Sequence, residues 1–235
     1  MSTILVAGYP QRGPLPLLSL LETRVLGVLV EKEKTVSDTY PLSLNALTSG
    51  CNQKSNRDPV IDATEAEVQA AVDAMKARTM VIESSGMRVA RYSHNVGRVL
   101  RVPDQAVALL AALMLRGAQT SAELRTGSER LHRFADVSSV EAFLDELAAR
   151  APEQGGPLVK RLTRRPGERE ARWMHCLSGV PAEDSVSQIP EALETVDLSA
   201  SELAALKAHV GRLEDEVAQL RDRFEKLSRE LGISG

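Results

Sequence analysis

One pattern is written twice in this chain, and that duplication limits its possible folds more than any other feature. Leu47-Thr48-Ser49-Gly50 corresponds to Leu124-Arg125-Thr126-Gly127. Further on, Val68, Ala70, Val72, Asp73, Met75, Ala77 and Arg78 correspond to Val140, Ala142, Leu144, Asp145, Leu147, Ala149 and Arg150. The spacing within each set is identical, so the apolar side chains fall on the same helical face in both copies. Two copies are too few to stack as a solenoid. Two adjacent domains of one kind are the expected solution.

Each copy has the same grammar. In the first, Ser19-Leu20-Leu21-Glu22 has capping-box spacing, and Leu21, Val25, Val28 and Leu29 follow at helical intervals to about Lys34. Pro41 suits the start of a short helix, Leu42 to Ser49, that stops at Gly50. Cys51 to Pro59 is too polar and aperiodic for anything but a loop. Thr64-Glu65-Ala66-Glu67 then opens a helix that buries Val68, Ala71, Val72 and Met75. Met80-Val81-Ile82 and Met87-Arg88-Val89-Ala90 flank Ser85-Gly86, a hairpin signal. The second copy offers Asp104 as the cap of a helix ending near Gly117, a short helix from Ser121 to Arg125, and a Ser138/Glu141 capping box before Val140, Phe143, Leu144 and Leu147. A second hairpin, Leu158–Thr163 with Ala171–Leu177, turns at Pro166-Gly167. Helix, short helix, helix and hairpin are the parts of a winged-helix domain.

The fold class expected is mainly α with small β-hairpins: two winged-helix domains plus a C-terminal coiled-coil helix. The boundaries are a loose tail at 1–16, a first winged-helix domain at 17–100, a second at 101–180, a linker at 181–199 and a coiled-coil helix at 200–235. The last rests on Leu203, Leu206, Val210, Leu213, Val217, Leu220, Phe224, Leu227 and Leu231, spaced alternately three and four apart. Such a narrow seam suits a parallel homodimer, with Glu202 opposite Lys207 and Glu216 opposite Arg221 of the partner. A helix folded back on its own domains is the alternative. Aromatic residues make up only 3% of the 235 residues, so the core must be aliphatic. Two cysteines give no disulfide framework, which fits reduced thiols in a cytoplasm. The apolar stretch Thr3–Ala7 is too short for a signal core, and no run approaches the roughly 20 apolar residues of a membrane span.

The loop and its flanks resemble a known family. Thr39-Tyr40-Pro41-Leu42-Ser43-Leu44-Asn45-Ala46-Leu47, with Cys51-Asn52-Gln53-Lys54-Ser55-Asn56-Arg57-Asp58-Pro59, is similar to the hallmark of the YceH family of bacterial proteins. Leu21-Glu22-Thr23-Arg24-Val25-Leu26-Gly27 and Glu31-Lys32 belong to the same likeness, which spans about residues 18 to 180. The resemblance implies two winged-helix domains in a cytoplasmic bacterial protein. It implies no activity.

Charge decides where an anionic partner could bind. The net formal charge is −3, so the chain is no polycation and any attraction to nucleic acid must be local. The helices that would enter a DNA groove are acidic outside: Glu65, Gln69, Asp73 and Lys76 in one, Glu141, Asp145 and Glu146 in the other. Carboxylates facing phosphates are repelled, which counts against groove reading by both helices. Positive charge gathers on the second hairpin, as Lys160, Arg161, Arg164, Arg165, Arg169 and Arg172. The first domain offers Lys54 and Arg57 in its loop and Arg88 and Arg91 on its hairpin. A phosphate clamp and a merely solvated hairpin are equally open readings of the first cluster, while the loop's Asn52, Gln53 and Asn56 suit binding their own backbone better than bases.

No phosphate loop, metalloprotease helix or paired-cysteine site occurs. His175 and Cys176 are adjacent on an expected strand and point to opposite faces, so they do not share a metal. His94, His132 and His209 are isolated, Trp173 packs at the hairpin base, and Cys51 is a small buried group. The sequence therefore points to a non-enzymatic, dimeric protein without cofactor whose role is binding duplex DNA or regulation. Its rival is a scaffold whose acidic helix faces bind a protein partner.

Overall fold

A computed structural model describes residues 17–84, 89–164 and 167–179, all within one compact unit, Met1–Ser185. The tail at 1–16, the linker at 181–199 and the heptad residues from Leu203 to Leu231 lie outside the described residues. What is described is mainly helical, with small antiparallel sheets.

Helix α1 (Leu20–Thr35) starts as its sequence dictates. Ser19 accepts from the Glu22 N–H, and the Glu22 carboxylate accepts from the Ser19 N–H at 2.7 Å. Strand β1 (Leu42–Ser43) leads into α2 (Leu44–Cys51), where the Ser43 hydroxyl caps the Ala46 N–H. The expected helix start at Leu42 is therefore two residues early: Leu42 and Ser43 are extended because they pair with Tyr92 and Arg91. Nor does α2 stop at Gly50. That glycine lies inside it, where a Cβ would stand 2.6 Å from Cγ1 of Val28, so its role is close packing on α1.

Helix α3 (Glu65–Ala77) carries the full Thr64/Glu67 box and buries Val68, Ala71, Val72 and Met75, as its period requires. Strands β2 (Val81–Ser84) and β3 (Arg91–His94) close the first half, in the sheet order β1-β3-β2. The return strand sits later than Met87–Ala90, since Arg91 to His94 are the residues that meet both β1 and β2. A short helix α4 (Val96–Leu100), not expected from the sequence, follows.

The second half repeats this order. Helix α5 (Asp104–Arg116) is capped by Pro103, with Asp104 as its first residue. A single β-bridge pairs Gln119 with Trp173, in the place β1 holds in the first half. Then come α6 (Ser121–Gly127), α7 (Val137–Ala148) and the hairpin of β4 (Val159–Arg161) with β5 (Trp173–His175). Asp136, rather than Ser138, caps α7: its carboxylate accepts from the Ser139 N–H at 2.7 Å. An aspartate already extended at 136 offers the earlier start and removes the need for a later one.

The buried side chains of both halves form one continuous aliphatic core, from Leu18 to Leu177. Its centre is the packing of α1 on α5. At Gly27 the helices approach so closely that a Cβ would stand 2.8 Å from Cγ of Leu115 and 2.9 Å from its Cδ2. Gly27→Leu should thus force the two helices apart and cost about 2–3 kcal/mol of unfolding free energy. Urea denaturation followed by circular dichroism would read this as a lower midpoint; an unchanged midpoint would mean the contact yields freely.

Candidate nucleic-acid interface

The polar loop after α2 is built into the interior. Asn52 donates to the Ala63 carbonyl and accepts from the Ala63 N–H, both at 2.8 Å, so one amide closes the loop upon itself. Gln53 donates to the Ser55 carbonyl and accepts from Lys32. Arg57 has no exposed side-chain surface. Its Nε donates to the Gly50 carbonyl at 3.1 Å, and its Nη atoms fork onto Glu31 at 3.2 and 2.6 Å. Arg24, fully buried on α1, donates to the carbonyls of Cys51 and Pro59 at 3.1 and 2.6 Å. These bonds give the loop's carbonyls partners within the protein.

The electrostatics follow. Burial lowers the pKa of Arg24, and the nearby Arg57 lowers it further. Burial alone would raise Glu31, but the hydrogen bonds and charge of Arg57 prevail and hold it below the usual carboxylate value. The Cys51 thiol, buried beside them, is pushed up to about 12 and stays protonated. It is no nucleophile.

Arg57 is therefore unavailable to a phosphate, contrary to the expectation from its polar setting: it is buried, and Glu31 and the Gly50 and Asn56 carbonyls hold its guanidinium. Arg91 is also occupied, donating to the carbonyls of Thr39 and Pro41 at 3.3 and 2.8 Å. Arg88 lies outside the described residues. Of the three that are described, Lys54 alone is exposed and forms no hydrogen bond or ion pair with a described residue. The outward face of α3 is internally paired as well. Glu65 accepts from Asn45, Asp73 from Gln69 and Lys76, and Lys76 also meets Glu83.

The second hairpin is arranged differently. Arg172, which the sequence groups with the phosphate contacts, is a latch. It donates to both Glu123 oxygens at 2.8 and 3.2 Å, to Glu168 at 3.3 Å and to the Ala118 carbonyl. Glu123 also caps α6 by accepting from the Thr120 N–H, so one carboxylate fastens hairpin to helix. Arg161 is exposed and lies 5.8 Å from the centre of the buried Trp173 ring. Lys160 is half-buried. Arg164 and Arg169 are exposed and form no ion pair with a described residue, while Arg165 lies outside the described residues. The hairpin thus presents Arg161, Arg164 and Arg169 to solvent from a fixed base.

His175 faces the core beside this hairpin. Its Nδ1 has no partner, and burial depresses its pKa to about 4, so it is neutral at physiological pH. Cys176, half-buried, points the other way. Among the described residues no three His, Cys, Asp or Glu side chains gather as metal ligands. Nor is any described helix long and apolar enough to cross a membrane.

Two like-ordered sets of helices and hairpin, tied together by an inward-turned polar loop and differing in their exposed charge, define a class of duplicated helical protein. The comparisons with known proteins fit that description. A family described as protein of unknown function DUF480 matches residues 18–168. The chain is 58% identical over 224 residues to a UPF0502 protein of Methylibium petroleiphilum, covering 95% of this chain and 94% of that one. It is 57% identical to a UPF0502 protein of Paraburkholderia phytofirmans, with 92% and 90% covered, and 55% identical to one of Burkholderia pseudomallei, with 95% and 93% covered. The chain belongs to this bacterial YceH/UPF0502 family.

Sequence reasoning did not single out Arg24 or the inward turn of Arg57. Arg24 shares a helical stripe with Leu21 and Val28, a position that could have signalled burial. Removing Arg57 should leave the half-buried Glu31 with Lys32, 3.3 Å away, in place of a bidentate partner. Arg57→Ala is expected to cost about 3 kcal/mol in denaturant unfolding, and Arg57→Lys to restore only part of it, because an ammonium cannot fork. A loss below about 0.5 kcal/mol, the range of an ordinary surface substitution, would show the ion pair to be dispensable.

Proposed function

We propose that this chain is a non-enzymatic tandem winged-helix protein of the bacterial cytoplasm that binds duplex DNA through the hairpin of its second half and pairs through its C-terminal heptads. The fold reading is supported by the order of elements, with β1 beside β3 in the first half and the Gln119–Trp173 bridge in the matching place of the second. Both thiols being free suits a reducing compartment. The observation that carries the binding reading is the second hairpin: Arg172 is latched to Glu123, and Arg164 and Arg169 are left to solvent. Phosphate neutralisation by such side chains supplies most non-specific affinity for DNA.

The test is fluorescence anisotropy on a labelled duplex in a salt series. Binding should be seen at low salt, weaken linearly in log–log form, and weaken further when Arg161, Arg164 and Arg169 become Ala. No binding at low salt, or no effect of the triple variant, would overturn the reading. A second reading, a protein scaffold, is favoured by the exposed Glu141 and Asp145 on α7, which make no ion pair with a described residue.

Self-association rests on the seam from Leu203 to Leu231 alone. Light scattering should give a dimer for the full chain and a monomer once residues 200–235 are removed; a monomeric full chain would defeat it.

A further inference from the structure

The loop between α6 and α7, residues 128–136, is the counterpart of the polar loop of the first half. There the arginine turns inward. Here the fold does the opposite. The Ser128 hydroxyl donates to the Leu124 carbonyl at 2.6 Å, and the N–H groups of Leu131 and His132 return to the Ser128 carbonyl at 2.7 and 2.8 Å. Buried Phe134 is packed edge-on against His132 and Phe143, with ring centres 4.6 and 5.9 Å away. Arg125 donates to the Ala135 carbonyl at 3.2 Å. Every one of these contacts fixes the turn, and none uses Arg130 or Arg133. Both are exposed and form no hydrogen bond or ion pair with a described residue.

The turn and the hairpin are tied to opposite ends of one short helix. The hairpin base is fastened at Glu123 by Arg172, and α6 runs from there into the turn at Ser128. Five residues at 1.5 Å each separate these points by about 8 Å. Between the turn, where Glu129 and the Asp136 cap of α7 accompany Arg130 and Arg133, and the hairpin in sequence lies α7, with Glu141, Asp145 and Glu146 outward.

We infer that the turn carrying Arg130 and Arg133 is a second phosphate contact, which with the hairpin brackets the backbone of double-stranded DNA while the acidic face of α7 holds the helix off the bases. This rests on the DNA-binding reading above and specifies it as backbone binding with little sequence preference. The occupant is a duplex for two reasons. Single strands are gripped by stacking on exposed aromatics, and none of the described large exposed apolar residues is aromatic. A membrane surface needs an apolar face, yet the described large exposed apolar residues all lie between Leu17 and Val89, outside this half.

The experiment uses the full chain, a labelled duplex of arbitrary sequence, a second duplex of shuffled sequence and an oligothymidine strand, each in a salt series. Arg130→Ala with Arg133→Ala should make the salt dependence shallower by about two units, near 0.9 per lost phosphate contact. Arg164→Ala with Arg169→Ala should do the same. Arg98→Ala, in the first half, should change neither slope nor affinity. Glu141→Gln, Asp145→Asn and Glu146→Gln together should tighten binding, and the shuffled duplex should bind within about threefold of the first.

If the turn pair leaves the slope unchanged while the hairpin pair reduces it, the bracket is wrong and the DNA reading stands. Weaker binding by the triple neutral variant would overturn the role given to α7, as tighter binding of oligothymidine would overturn the choice of a duplex. Absence of duplex binding at low salt would remove both this inference and the reading beneath it.

Discussion

The fork of Arg57 on Glu31 is the interaction on which the arrangement of this fold depends. It seats a polar loop in the interior, and the loop then reaches across to the other half. The Asp58 N–H donates to the Leu115 carbonyl at 2.8 Å, close to the end of α5 where helix carbonyls lack partners. Arg24 holds the Cys51 and Pro59 carbonyls from α1. The same loop that closes the first half therefore also covers the exposed end of the second half's leading helix. Close approach at Gly27 makes this geometrically possible, because α1 and α5 must nearly touch for a loop of this length to span them.

Burying two guanidiniums with one carboxylate is costly unless every polar atom finds a partner. Here most do, and the exception is Arg24 Nε, which is buried without one. The inward turn of these cations also decides what the first half can present outside. Arg78 is held by Glu22 at 3.1 Å, Lys34 by Glu33 and Asp104, and His94 Nε2 lies 3.1 Å from Glu33. A cation committed in this way adds little to the field around the molecule.

The legible part of the fold was what local chemistry dictates. Capping boxes at Ser19 and Thr64, the apolar stripe of α3, the hairpin around Pro166-Gly167 and the duplication itself are consequences of short-range spacing, and a sequence contains all of them. The errors share a cause too. Whether Leu42 starts a helix or a strand depends on Tyr92, fifty residues away, and whether Arg57 faces water depends on Glu31, twenty-six residues back. Composition treats each polar loop as solvated. Only the third dimension shows that one loop's amide and guanidinium groups are aimed at carbonyls inside the protein while the other's arginines are aimed outward. Arg172 was misplaced for the same reason: its pairing with Glu123 crosses forty-nine residues.

The two halves share an order of elements and differ in where they spend positive charge, and one physical constraint explains the difference. A guanidinium that satisfies buried carbonyls cannot also neutralise a phosphate, so a loop must serve the core or the surface. The first half's loop carries Arg57 and is sealed by Asn52 and Glu31. The second half's turn is shorter and is held by Phe134, Ser128 and, from α6, Arg125, which leaves Arg130 and Arg133 to solvent. His175 fits this division. A core position in the second half is filled by a histidine that burial keeps neutral, so it adds no charge to the interior. Of this half's arginines, Arg150 and Arg172 are held by protein partners, while Arg130, Arg133, Arg164 and Arg169 stand on the periphery, where contact with an extended anion requires them.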